Sequence, residues 1–324
     1  MPTLELTARA VAVTPDNFNR AESDMYFAAE VRRGGFARFA HHRELMPIDK
    51  QTVVRSNRDT LYSTGVFDLD AAPVTITLPD AGTRFMSLQV IDEDQFTLGV
   101  VYGRGCYTYT REKVGTRYVL AGVRTLTDPT KPNDLDEVHA LQDAIRVEQT
   151  NPGRFEVPTW DKENQKKVRD ALILLGTTVR DTKRTFGTRA QVDPVRHLIG
   201  TAIGWGGNPE TDAFYLSVTP AKNDGTTVHR LTVMDVPVDG FWSISVYNAE
   251  GYFQKNAVDA YSLNNMTARK NEDGSVSVQF GGRDDHTANY LPIVKGWNYT
   301  VRLYRPRREI LNGTWTFPEA KPVA

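Results

Sequence analysis

Between Asn57 and Tyr62 the chain sets an amide, a guanidinium, a carboxylate and a phenol close together, as Asn57, Arg58, Asp59 and Tyr62. Such a set can anchor a polar molecule and exchange a proton with it, Asp59 and Tyr62 handling the proton while Asn57 and Arg58 hold the substrate. Asp92 is the second acidic candidate. It continues the alternating face of Met86, Leu88 and Val90, so it is expected at the edge of apolar core, where desolvation raises a carboxyl pKa toward the range a general acid needs. An ionised neighbour, Asp59 or Asp94, would then serve as base. Further along, Trp242, Ile244, Val246 and Asn248 share one strand face, and Trp242 with Asn248 completes the substrate-binding candidates. A structural role competes with each reading: Asp59 as a turn cap, Asp92 in an exposed acidic loop with Glu93 and Asp94, and Trp242 as core.

Other chemistries find less support. Histidines stand at 41, 42, 139, 197, 229 and 286, with neither a His-x-x-x-His nor a His-Glu-x-x-His spacing, so a zinc protease helix is excluded. His229 alternates with Leu231, Val233 and Asp235 and reads as a hydrogen-bonded strand residue. The single cysteine, Cys106, rules out an intrachain disulfide and a cysteine-based zinc site. No Gly-x-Ser-x-Gly elbow is present, and Gly204-Trp205-Gly206-Gly207 lacks the phosphate-binding pattern and reads as a flexible connection. No metal and no cofactor is expected. Arg302, Arg305, Arg307 and Arg308 form a local cationic run, either a solvated strand end or an anion site.

The elements that must position these groups follow from periodicity. Met25, Ala28, Ala29, Val31, Phe36 and Phe39 recur at helical spacing, broken at Gly34-Gly35, and Pro47 ends that signal. From Thr52 to about Val123 the pattern is that of strands, with Thr60–Phe67, Val74–Leu78 and Arg84–Val90 separated by turn residues. Helices are predicted from Asp134 to Val147, with Asp134 as N-cap, and from Asp161 to Arg180, with a stripe of Val168, Leu172, Leu175 and Val179 and an exit at Gly187. Strands return at Val228–Val236, Phe241–Tyr247, Val276–Phe280 and Tyr299–Tyr304. The predicted fold is a β-rich α+β protein: two antiparallel β-sandwich or barrel-like domains joined by a helical segment, with a helical N-terminal region.

Composition narrows the function classes. The 324 residues are 40% hydrophobic and 24% charged with a formal net charge of -1, which excludes a disordered chain and offers no overall positive field for nucleic acid. No apolar run approaches a membrane span, and Met1 to Thr14 lacks the basic and apolar regions of a secretory leader, so a cytoplasmic location is expected. A small-molecule ligand is the expected partner, with no membrane or nucleic acid; a homo-oligomer fits equally.

The run Ser56-Asn57-Arg58-Asp59-Thr60-Leu61-Tyr62-Ser63, followed by Phe67-Asp68-Leu69 and Met86-Ser87-Leu88-Gln89-Val90-Ile91-Asp92, resembles the bacterial family Domain of Unknown Function 1254. The stretch Asp239 to Asn248, Asn289-Tyr290-Leu291-Pro292, Thr300-Val301-Arg302-Leu303-Tyr304 and Leu311-Asn312-Gly313-Thr314-Trp315 is similar to its usual companion, Domain of Unknown Function 1214. The resemblance implies two β-sandwich or barrel-like domains, divided here as 1–155 and 156–324. It implies little about activity. Many relatives carry a secretory leader, and the departure of Met1 to Thr14 from that pattern makes an intracellular role the expectation. From the residues, the expected function is a cofactor-independent enzyme doing acid–base chemistry on a small polar organic molecule in an interdomain cleft. The alternative is a non-catalytic module that binds a small ligand or a protein, and a third reading makes the Asn57–Tyr62 motif a corner that fixes strand register.

Overall fold

A computed structural model describes residues 10–51, 54–179, 181–282 and 287–323. Residues 1–9, Thr52, Arg180 and His286, named above, lie outside them. In chain order the first half holds α1 (Phe18–Arg32), β1 (Ala40–His41), β2 (Thr60–Asp68), β3 (Val74–Leu78), β4 (Met86–Asp92), β5 (Thr97–Tyr102), β6 (Gly105–Tyr109), α2 (Arg111–Val114), β7 (Tyr118–Leu126), α3 (Asp134–Asp143) and β8 (Arg146–Glu148). There follow α4 (Lys162–Gly176), α5 (Pro194–Gly204), β9 (Ala213–Val218), β10 (His229–Val233), β11 (Trp242–Tyr247), β12 (Ser262–Asn264), β13 (Val276–Phe280), β14 (Tyr290–Leu291), β15 (Asn298–Tyr304), α6 (Arg308–Leu311) and β16 (Lys321–Pro322).

Two sandwiches result, and neither closes into a barrel. In the first, the sheet β1-β2-β7-β4-β5 packs on β6-β3-β8; Val74, Ile76 and Leu78 from one meet Met86, Leu88, Val90, Val119 and Val123 from the other. In the second, β12-β11-β15-β9 packs on β14-β13-β10-β16, with Trp242, Ile244, Val246, Val301 and Leu303 facing Leu231, Val233, Val278 and Phe280. Pairing is antiparallel throughout except for β13 with β14. The helices form a third layer: Phe18 and Ala21 of α1 pack with Leu172 of α4 and Ile199 of α5, and Phe27 of α1 seats on Val66, Tyr118 and Leu120 of the first sheet. Thus α4 and α5, which the sequence division at 155 assigns to the second half, lie in space against the N-terminal helix. No described helix is long and apolar enough to cross a membrane.

Local signals explain most boundaries. Asp161, where the predicted helix begins, caps α4 by accepting the N–H of Glu163 and Asn164, but the helix stops at Gly176, short of the predicted Arg180 and of an exit at Gly187. Helix α5 escaped the sequence reading although Asp193 caps it and Pro194 occupies its first turn, a standard start signal. Asp134 is not a cap. Asn133 precedes the helix without a side-chain cap bond, and Asp134 instead takes a bidentate bond from Arg84 and the N–H of Asp128.

Candidate functional site

Strand alternation predicted one buried face for Arg84–Val90, yet every residue of β4 is buried. The second face is covered by α1 at one end and by the other sandwich at the opposite end, and its polar middle is where functional groups converge. Register aligns Tyr62 of β2 with Arg124 of β7, Arg124 with Ser87 of β4, and Ser87 with Tyr102 of β5. At about 4.8 Å per strand this row is roughly 14 Å long. Facing it from the C-terminal sandwich are Tyr215 of β9 and Tyr304 of β15, together with Asn208 and Asp212 from the preceding connection. An aromatic wall closes one side: Phe241 stacks on Tyr304 at 4.2 Å, and Phe85 meets both edge-on or tilted, at 5.1 and 5.4 Å. Such pairs contribute about 0.5–1.5 kcal/mol each beyond their burial, fixing the two sandwiches against each other.

Arg124 stands at the centre. Its Nη1 donates to Gln89 Oε1 (2.7 Å) and Asn208 Oδ1 (3.4 Å), its Nη2 to the Gly206 carbonyl (3.3 Å), and its guanidinium lies 5.4 Å from the centre of the Tyr62 ring. All these partners are neutral, and no described carboxylate pairs with it. The Gly206-Gly207 segment is shaped for this task and is not a flexible connection: Gly206 has φ +76°, and a Cβ on Gly207 would meet the Phe186 ring at 2.5 Å. The Gly207 carbonyl accepts from Gln89 Nε2 (2.9 Å), which holds the Gln89 oxygen toward Arg124.

The phenols differ in acidity. Burial pushes Tyr62 up, but the Arg124 charge and hydrogen bonds from Asn57, Thr60 and Arg124 outweigh it, leaving Tyr62 below the ordinary phenol value. Tyr304 is driven well above that value by burial and by the neighbouring phenols Tyr215 and Tyr62. Asn57 Nδ2 lies between them, 3.4 Å from Tyr62 Oη and 3.2 Å from Tyr304 Oη, and also 3.2 Å from Thr60 Oγ1. The first proton lost from this pair is therefore that of Tyr62, with Tyr304 remaining a donor. At the mouth, Tyr102 donates to Asp212 (2.9 Å) while the Arg305 guanidinium covers its ring at 4.8 Å; burial raises both Tyr102 and Asp212.

A sealed layer lies beneath. Arg302, 4% exposed, donates to Ser245 Oγ (2.9 Å), Tyr247 Oη (2.8 Å) and the carbonyls of Arg55 and Ser56 (2.7 and 3.3 Å). Asp59, 2% exposed, accepts from Asn264 (3.3 Å) and feels the Arg302 charge, yet burial dominates and raises its pKa. The Ser243 hydroxyl sits beside that carboxyl without completing a bond; Asp59 Oδ2, Ser243 Oγ, Ser56 Oγ and Thr300 Oγ1 all lack hydrogen-bond partners among the described residues.

The structure therefore divides the sequence candidates. Asn57 and Tyr62 meet at the contact between the two sandwiches, where Asn57 also reaches Tyr304, and Asp59 lies in the sealed layer below. It is Asn57, not Asp59, that closes the turn, its Oδ1 accepting the Asp59 N–H at 2.8 Å. Arg58 leaves the cleft: it bonds the Met46 carbonyl and covers the Tyr261 ring at 5.3 Å, because the turn breaks the strand phase carried back from Thr60. Asp92 pairs in register with Val119, whereas the Asp59 carbonyl is held by Thr127. From Val119 to Thr127 is roughly 26 Å of extended chain, so these carboxylates do not form a pair. Trp242 belongs to the second core, against Phe317, and Asn248 shapes a turn by accepting the N–H groups of Glu250 and Tyr252. Nor do the C-terminal arginines cluster: Arg302 is buried, Arg305 covers Tyr102 and Arg307 pairs with Asp239. Sequence reasoning passed over Arg124, Gln89, Asn208, Asp212 and Tyr304. The available signal was an arginine inside an otherwise apolar strand, as in Tyr118–Leu126, since charge is rarely buried there without purpose.

No group of three or more metal-ligating side chains occurs among the described residues. Residues 36–122 match the family model described as protein of unknown function DUF1254, and residues 217–308 match protein of unknown function DUF1214. Among curated proteins, none matches the chain. The fold is similar to the crystal structure of the VPA0106 protein from Vibrio parahaemolyticus, at 17% identity and a TM-score of 0.73, over 95% of this chain and 98% of that one. It is also similar to a putative uncharacterized protein from Burkholderia cenocepacia, at 14% identity and a TM-score of 0.53, over 90% of this chain and 86% of the other.

Proposed function

The chain belongs to the DUF1254/DUF1214 family, whose names record no activity, and on its own geometry we propose that the interdomain cleft binds a small organic anion through Arg124 and transfers a proton through Tyr62. The carrying observation is the half-buried Arg124 guanidinium, held by neutral oxygens and flanked by phenols, with no described carboxylate to balance it. A planar guanidinium in that setting favours a carboxylate or similar oxyanion. Tyr62, acidified beside it, takes a proton from the substrate; Asn57 steadies the phenolate, and Tyr304 donates a hydrogen bond to charge that develops in the transition state. Asp59 supports this cleft from below and touches no substrate.

The test is a thermal-shift screen with small mono- and dicarboxylates, each hit then followed by NMR for consumption. Arg124→Gln is expected to abolish the ligand-induced shift, and Tyr62→Phe to keep it while losing conversion. If no carboxylate raises Tm, or if Arg124→Gln responds like the wild type, the proposal fails. Hits that bind and are never consumed, by wild type as by Tyr62→Phe, favour the non-catalytic binding module.

A further inference from the structure

At the far end of β4 from the interdomain cleft lies a second recess of about 550 Å³, lined among others by Asp92, Asp94, Phe96, Tyr109, Lys113 and Arg189. Asp92 is 4% exposed, and its Oδ1 accepts the N–H groups of Asp94 and Phe96, both at 2.9 Å; its Oδ2 has no hydrogen bond among the described residues. Phe96 is clamped. His197 stacks on one face at 4.3 Å and 7°, itself fixed between the carbonyls of Thr185 and Asp94, and Arg189 covers the other face at 4.3 Å. Arg189 reaches Asp94 Oδ2 only at 3.6 Å, and its side chain is 75% exposed, so little holds it there. Asp94 Oδ1 is taken by Arg20 at 2.8 Å.

We infer that this recess binds a small organic cation of the guanidinium class, which displaces Arg189 from Phe96 and pairs with Asp92. The protein's own guanidinium shows the chemistry the position accepts: a flat, delocalised cation stacked on an aromatic face beside two carboxyls. Exchange of Arg189 for the ligand leaves the charge of the recess unchanged, which matters because Lys113 of α2 also faces it. The charged and titratable groups around Asp92 are Asp94 from its own turn, Arg189 from the segment before α5, Lys113 from α2 and Tyr109 from β6, with His197 of α5 behind Phe96. Burial pushes Asp92 up to about 7, so the cation is held more tightly as pH rises through that value.

The probe is methylguanidine, a monocation, titrated by calorimetry at pH 6 and pH 8. Arg189→Ala is expected to tighten binding about tenfold by removing the competitor, and Asp92→Asn to weaken it about tenfold and to remove the pH dependence. Unchanged or weaker binding by Arg189→Ala, or an Asp92→Asn variant with wild-type affinity, overturns the inference. Circular dichroism of each variant separates loss of binding from loss of fold. Arg124→Gln serves as a second control, expected to leave methylguanidine affinity unchanged; a changed affinity would place the cation beside Arg124 and refute the assignment.

Discussion

Two arginines stand on strands at the same domain interface, Arg124 on β7 and Arg302 on β15, and their surroundings differ in kind. Arg302 is sealed, with four oxygen acceptors and the Asp59 carboxyl within its field. Arg124 is half-buried, bonded to two amides and a carbonyl, and bordered by phenols. The first arrangement joins the loop before β2 to the C-terminal sheet and leaves nothing for a ligand to add. The second leaves a charge that a ligand can complete. Burial of a cation is thus a poor guide to function until its partners are counted.

The largest effect that can test this contrast comes from Arg302. Truncation to Ala strands the carbonyls of Arg55 and Ser56 and the hydroxyls around them, and chemical denaturation is expected to show a loss of roughly 3–5 kcal/mol. A loss below about 1 kcal/mol would put Arg302 in the same category as Arg124. Next, Arg124→Gln is expected to cost no more than about 1–2 kcal/mol of stability, because the new amide can still donate to the buried Gln89 and Asn208 oxygens, while removing the response to carboxylates. Comparable destabilisation by both substitutions would erase the distinction drawn here.

A subtler measurement concerns Asp59. Its folded pKa is raised above the unfolded value of about 3.9, so its contribution is fully present below that pH and is lost as pH rises through the folded pKa. Stability measured from pH 4 upward should therefore fall in the wild type and fall less in Asp59→Asn; parallel profiles would show that Asp59 does not titrate as placed. Smallest of all is the expected change in unfolding free energy for Tyr62→Phe, within about 0.5 kcal/mol. The informative readout there is ultraviolet difference titration, which should lose the phenol that ionises earliest.

Much of the scaffold was legible in the chain. The strand at Val74–Leu78 has the predicted bounds, the C-terminal strands differ by a few residues at their ends, and α4 begins beside Asp161, where a helix start was expected although the capping role was not. These features depend on neighbours in sequence. The site was legible only at Asn57 and Tyr62, since the rest of it joins groups from β4, β7, β9 and β15 across a domain contact that alternation within one strand cannot express. Ser87 and Gln89 read as the solvent face of a strand, and only the facing sandwich makes them interior. Arg58 and Asp92 went astray for a related reason: a turn reset the phase of one, and a strand's length separated the other.

Hydrogen-bond ladders, not loops, set the spacing of Tyr62, Arg124, Ser87 and Tyr102. Removing one residue between Tyr118 and Arg124 would therefore rotate the guanidinium into the dry interior of the first sandwich and bring Thr125 out in its place. The recognition we propose for this row and the folding of the sheet share a single point of failure, so any variation in ligand preference would fall to the facing connection at Asn208 and Asp212, while the row itself can change only if the whole sheet changes with it.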